Sequence, residues 1–266
     1  MSDEEQSHHQ GLQQDLRILT ANAGRRQVLR WMAGASLLPL LGCGDDDSNE
    51  DPGDPSSCSR IPEETAGPYP ADGSNGPNAL LLSGIVRSDI RSSFAGASAV
   101  AQGVPITVTI TLVDTNNNCA PLLGRAVYLW HCDRDGLYSL YSQGITSENY
   151  LRGVQETDAE GKVTFASIFP ACYSGRWPHI HFEVYPNLGS ATSSSNKLAT
   201  SQLAMPKAAC DEVFATTGYS RSITNLSQVT LATDNVFRDG SSTQVATVTG
   251  NVTDGYAVSL VVGIAG

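Results

Sequence analysis

DAEGKVTFASIFPACYSGRWPHIHFEV (residues 158–184) packs a turn, two strand-like runs and the densest polar chemistry of the chain into one stretch. Asp158-Ala159-Glu160-Gly161 is a turn signal, and residues 162–168 after it form a short β-branched and aromatic run of the kind that makes a strand. Residues 179–184 are a second such run. Side chains along a strand alternate between faces, so His179 and His181 project one way while Ile180 and Phe182 enter the opposite layer. Two imidazoles spaced by one residue on a strand can grip a single metal ion. Alone the pair is weak evidence, because two polar residues on a solvated strand face read the same way.

Working outward, similar runs recur at residues 80–86, 106–113, 126–132, 201–205, 244–248 and 256–263, and each is predicted to be a strand. Asp114 to Asn118, Asp133 to Gly136 and Asp254-Gly255 mark turns between them. GSATSSSN (residues 189–196) reads as a flexible loop, and a short helix is expected over 209–215. Short strands broken by regular turns imply a mainly β fold, a sandwich or a barrel. The 266 residues, 40% of them hydrophobic, suit one large domain (residues 59–266) behind an N-terminal extension.

The formal charge of −11 lies outside the first 43 residues, where four basic and four acidic residues cancel. An acidic domain without clustered basic side chains argues against a nucleic-acid partner. GRRQVLRWMAGASLLPLLGC (residues 24–43) places Arg25-Arg26 before an apolar run too short to span a bilayer, so residues 1–43 read as a signal segment. The pair resembles a twin-arginine export signal, and Leu40-Leu41-Gly42-Cys43 resembles a lipobox, which would make Cys43 the lipid-modified first residue of the exported chain. An ordinary secretory peptide cleaved nearby is the alternative. The acidic stretch 44–58 has nothing to bury and is expected to be a disordered tether, with membrane contact only through the lipid at Cys43. Outside the cytoplasm cysteines pair. The expected pairs are Cys58 with Cys119 and Cys172 with Cys210, leaving Cys132 as a small buried hydrophobe.

Beyond the signal segment only His131, His179 and His181 remain. That is too few histidines for a copper-zinc dismutase-like sandwich, and a cupin would want a Glu where this chain has Tyr185 and Pro186. A metal held by His179 and His181 must take oxygen or sulfur ligands as well. Tyr173, six residues before His179, and Tyr138, beyond the run Trp130-His131-Cys132, are the candidates. A phenol ionises near neutral pH only when a strong cation binds the phenolate, which suits a hard trivalent ion such as iron(III). Most tyrosines are core or rim residues, and that is the ordinary reading of each taken singly.

Together these parts resemble the intradiol ring-cleavage dioxygenases, the family of protocatechuate 3,4-dioxygenase and catechol 1,2-dioxygenase. The likeness runs from about Ile61 to Phe214. It rests on Thr65-Ala66-Gly67-Pro68-Tyr69, on Leu129-Trp130-His131 through Gly136-Leu137-Tyr138, on Thr157-Asp158 with Gly161, on Tyr173, Arg176 and His179-Ile180-His181, and on Thr200-Ser201-Gln202-Leu203. The resemblance implies an all-β fold, a β-sandwich with short helices and long loops, and an Fe3+ centre held by Tyr138 and His179 as equatorial ligands and by Tyr173 and His181 as axial ones. It further implies that Tyr173 leaves the metal when a small aromatic diol binds. Arg176 would stabilise negative charge developing on the ring, with Gln202 beside it, and Tyr69 and Trp177 would border the substrate. O2 would then open the ring between the hydroxyl-bearing carbons to a muconate-type dicarboxylate. Only two residues separate Tyr173 from Arg176, shorter than in the soluble enzymes of the family, which implies a differently shaped pocket mouth. His131 reads as structural. Two other classes compete: an exported β-sandwich binding module without turnover, and a zinc hydrolase, against which the paired tyrosines speak.

Overall fold

The structure, a computed structural model, describes residues 58–266. The expected signal segment, the lipid site at Cys43 and the tether as far as residue 57 lie outside the described residues. Nine strands follow in chain order: β1 (Pro105–Asp114), β2 (Ala120–Pro121), β3 (Ala126–Trp130), β4 (Arg152–Glu156), β5 (Lys162–Ile168), β6 (His179–Tyr185), β7 (Ala199–Ala204), β8 (Thr247–Asn251) and β9 (Gly255–Ile264). Two short helices, α1 (Lys207–Phe214) and α2 (Ser220–Leu226), lie between β7 and β8.

The strands form two sheets, a β-sandwich. One has the order β2-β1-β9-β8 with β5 also paired to β1, and the other has the order β4-β3-β6-β7. Only β1 and β9 run parallel; the remaining pairs are antiparallel. Period-two patterning explains the core. In β1, Ile106, Val108, Ile110 and Leu112 are buried, and in β9, Tyr256, Val258, Leu260 and Val262 are buried, facing Ile180, Phe182 and Val184 of β6 in one cluster.

β6 is buried at every position. Its inner face joins that core, while Tyr185 on the other face joins a second cluster with Ala71, Leu80, Tyr128, Trp130 and Tyr138. The long segments before β1 and between β3 and β4 therefore cover the outer face of the second sheet. That is the face on which His179 and His181 stand.

Several expectations need correction. Residues 80–86 are not a strand: Ala79–Leu81 is a 3-10 turn capped by the Asn78 side chain. Gly84 then turns the chain with φ +98, away from the extended region, and only Val86 forms a bridge, to Val154. β4 and α2 were not legible, because Arg152-Gly153-Val154-Gln155-Glu156 has little strand propensity of its own and acquires strand geometry from pairing with β3. The expected run 244–248 shifts to Thr247–Asn251, with Val245 bridging Ala204 instead. Residues 189–196 contain parts of two 3-10 turns capped by Asn187 and Ser193. Cys58 pairs with Cys119. Cys172 and Cys210 do not pair: both are free and buried, the Cys172 thiol donating to the Arg176 carbonyl at 3.4 Å, and burial pushes that thiol up to about 12.

Candidate metal centre

Three strands and two loops build the site. Antiparallel register places Trp130 of β3 opposite His181, and Gln202 of β7 opposite His181 on its other side. The Trp130 and His181 rings stack, centroids 4.9 Å apart and planes within 4°. Tyr138 stands on the loop after β3, where Asp133 shapes the turn by accepting from the backbone N–H of Asp135 and Leu137. Gly136 in that turn has φ +83, and a Cβ built there would lie 3.1 Å from Tyr173 Cβ, so the loop closes directly on Tyr173.

The four polar tips converge. Tyr138 Oη lies 3.3 Å from His181 Nε2, Tyr173 Oη lies 3.2 Å from His179 Nε2, and the two Nε2 atoms are 3.1 Å apart. His179 Nδ1 is 2.5 Å from the Trp177 carbonyl, so its proton sits there and the Nε2 lone pair faces the cluster. Among the described residues no group of three or more His, Cys, Asp or Glu side chains could hold a metal ion. This cluster offers two phenol oxygens beside two imidazoles.

Burial holds both imidazoles well below their ordinary pKa; for His179 the Arg176 charge adds to the effect, and for His181 His179 and then Arg176 do. They stay neutral, the form that ligates. Burial likewise pushes the Tyr138 phenol well above its ordinary range, with Tyr173 adding and the Arg176 cation opposing. A buried phenol of this kind ionises only against a strong local cation, so the donor set fits a hard, highly charged metal ion and gives no reason to favour zinc.

Residues 93–190 match the family model described as Dioxygenase. A search of curated proteins finds no match. Among solved structures, an intradiol ring-cleavage dioxygenase from Tetranychus urticae is 24% identical with TM-score 0.59, aligned over 78% of this chain and 95% of its own. The dioxygenase Tetur07g02040 is 24% identical with TM-score 0.61, over 79% and 95%. The 3-chlorocatechol 1,2-dioxygenase of Rhodococcus opacus 1CP is 16% identical with TM-score 0.50, over 77% and 72%. The fold is that of the intradiol ring-cleavage dioxygenases.

Within this intradiol dioxygenase fold the other sequence candidates fall as follows. Arg176 is buried, and its Nη2 donates to Gln202 Oε1 at 2.6 Å. Gln202 Nε2 in turn donates to the Thr65 carbonyl at 2.9 Å, which ties the Thr65–Tyr69 segment to the site. The Tyr69 ring lies 5.0 Å from that of Tyr138. Trp177 packs in the sandwich core with its indole N–H on the Met205 carbonyl; it is the backbone of Trp177 that reaches His179. His131 uses both ring nitrogens elsewhere, at 2.7 Å from the Cys132 carbonyl and 2.7 Å from Ser167 Oγ.

Two residues escaped the sequence reading. Arg152 is buried and donates to the carbonyls of Tyr69, Pro70 and Ser139, to Ser139 Oγ and to Tyr128 Oη, so it laces the Tyr69 and Tyr138 loops together. Asp234, fully buried, accepts from Arg176 Nε at 3.0 Å. Charged residues in apolar surroundings were the available signal for both, since a buried charge needs partners.

Proposed function

We propose that this protein is an iron(III)-dependent intradiol dioxygenase that opens a catechol-type ring between its two hydroxyl-bearing carbons, adding both atoms of O2 to give a muconate-type dicarboxylate. The observation that carries the reading is the meeting of two phenols and two neutral imidazoles, with neighbouring donor atoms 3.1 to 3.3 Å apart. Tyr138, Tyr173, His179 and His181 would hold the iron. When bound, the metal supplies a Lewis acid and a template for the diol oxygens.

The protein residues then have separable tasks. The Trp177 carbonyl keeps the His179 proton on Nδ1, leaving Nε2 as a ligand atom. Trp130 holds the His181 ring in plane. The Tyr173 phenol, partly exposed beside the buried pair, is suited to leave and to take a proton from the incoming diol. The Arg176 guanidinium would stabilise negative charge on the ring and on the product carboxylates. Burial of the cluster excludes bulk water, which strengthens each of these interactions.

Export and anchoring through Cys43 belong to the same proposal. The Cys58–Cys119 disulfide supports an oxidising compartment. Replacing Arg25 and Arg26 by Lys should retain the protein inside the cell.

The test is colour and oxygen. Iron-loaded protein should be red from phenolate-to-iron(III) charge transfer and should consume O2 with catechol, protocatechuate or hydroxyquinol, one O2 per ring opened. A colourless iron-loaded protein, or a coloured one inert toward every diol, would defeat the assignment and leave the binding-module alternative.

A further inference from the structure

Arg176 is the only arginine in the 173–181 stretch, and a guanidinium that is to act on a reacting ring must be aimed. Its side chain is held from two directions. Nη2 donates to Gln202 Oε1 at 2.6 Å, and Nε donates to Asp234 Oδ2 at 3.0 Å. The same Asp234 oxygen accepts the Trp177 backbone N–H at 2.7 Å. The other oxygen, Oδ1, accepts the N–H groups of Val236 and Phe237 at 2.8 and 3.2 Å. A carboxylate that accepts four hydrogen bonds and is 0% exposed has one available orientation.

Asp234 therefore sits at a junction. Through Oδ2 it touches Arg176 directly and the Trp177 residue whose carbonyl orients His179. The stretch that carries it, between α2 and β8, lies outside the 93–190 match. We propose that Asp234 is the positioning residue of this centre, fixing the Arg176 guanidinium and the Trp177 backbone relative to the metal-binding side chains. The inference rests on the dioxygenase reading above, because it assigns Asp234 a role only through Arg176.

Three variants separate the possibilities: Asp234→Ala, Arg176→Met and the double variant, with Asp234→Asn alongside because it preserves volume should Asp234→Ala fail to fold. Iron-loaded protein is titrated anaerobically with 4-nitrocatechol, whose spectrum reports binding without turnover. Steady-state kcat and KM for catechol and melting temperatures of the metal-free proteins are measured in parallel. Asp234→Ala and Arg176→Met should each weaken nitrocatechol binding and lower kcat by roughly ten- to hundredfold, and the double variant should bind no more weakly than Arg176→Met alone. Asp234→Ala should also melt below the double variant, since only the single variant strands a buried guanidinium.

Wild-type binding and kcat in Asp234→Ala or Asp234→Asn, with Arg176→Met impaired, would overturn the inference and spare the dioxygenase reading. Losses that simply multiply in the double variant would overturn it too, since Asp234 would then act independently of Arg176. Wild-type behaviour of Arg176→Met would instead remove Arg176, and Asp234 with it, from the site.

Discussion

Trp130 lies flat against His181, their ring centroids 4.9 Å apart and their planes within 4°. The register between β3 and β6 makes this contact, so a residue of the neighbouring strand sets the angle of an imidazole that belongs to the candidate metal centre. Trp130→Leu should therefore loosen the His181 ring and lower iron affinity by about ten- to a hundredfold. Trp130→Phe keeps an aromatic face there and should lose much less. Chelator competition measures both, and equal affinities in the two variants would show that the stack does no orienting.

His131 provides a control that also reads pH. Because its nitrogens bond Cys132 and Ser167, His131→Gln should keep the red colour that Tyr138→Phe loses. Burial lowers the His131 pKa from 6.5 to about 4. Below pH 6.5 the unfolded chain takes up a proton at this residue that the folded chain refuses. Stability from this group is thus fully present above pH 6.5 and is lost as pH falls toward 4, by about 3 kcal/mol in all. Urea unfolding of the metal-free domain at pH 7.5 and 4.5 should show a smaller acid loss in His131→Gln; an unchanged loss would contradict the assignment.

Gly136 and Tyr173 test how closely the loop is built to the site. A methyl group at Gly136 must accept φ +83 and push on Tyr173 Cβ at 3.1 Å. Gly136→Ala should cost about 1 to 3 kcal/mol of stability and displace the Tyr173 phenol, moving the charge-transfer band and changing KM. A spectrum identical to wild type would show that Tyr173 tolerates the shift.

The disulfide lies at the other end of the molecule. Ile106 of β1 pairs with Ser167, whose hydroxyl meets His131 beside the site, whereas Asp114 at the far end of β1 accepts from the Cys119 N–H. The two ends are roughly 25 Å apart at strand rise. Replacing Cys58 and Cys119 by Ser opens a crosslink between residues 61 apart in sequence and should lower stability by about 4 kcal/mol while leaving kcat at the wild-type value. A large fall in kcat in a folded double variant would contradict this separation of pole and site.

Particular residues show what could be read in advance and what could not. β5 and β6 were legible because each is a β-branched or aromatic run bounded by turn residues, and local preference and burial agree there. Residues 80–86 were equally apolar, but Gly84 takes a left-handed conformation, and β4 had the opposite problem of weak preference overruled by pairing. Cys172 and Cys210 could not be judged from spacing, since a pairing depends on where two Cα atoms lie in space.

For the candidate centre, residue types and alternation along one strand were enough to single out His179 and His181 on a common face and to name Tyr138 and Tyr173 as candidate oxygen ligands. Only the tertiary structure decided that this face is buried and not solvated, that Tyr138 and Tyr173 arrive within 3.3 Å of those imidazoles, and that Asp234 meets Arg176 across 58 residues of chain. The reason is physical. Strand alternation is a local property of the backbone, whereas burial and the pairing of distant charges exist only once separate segments have packed together.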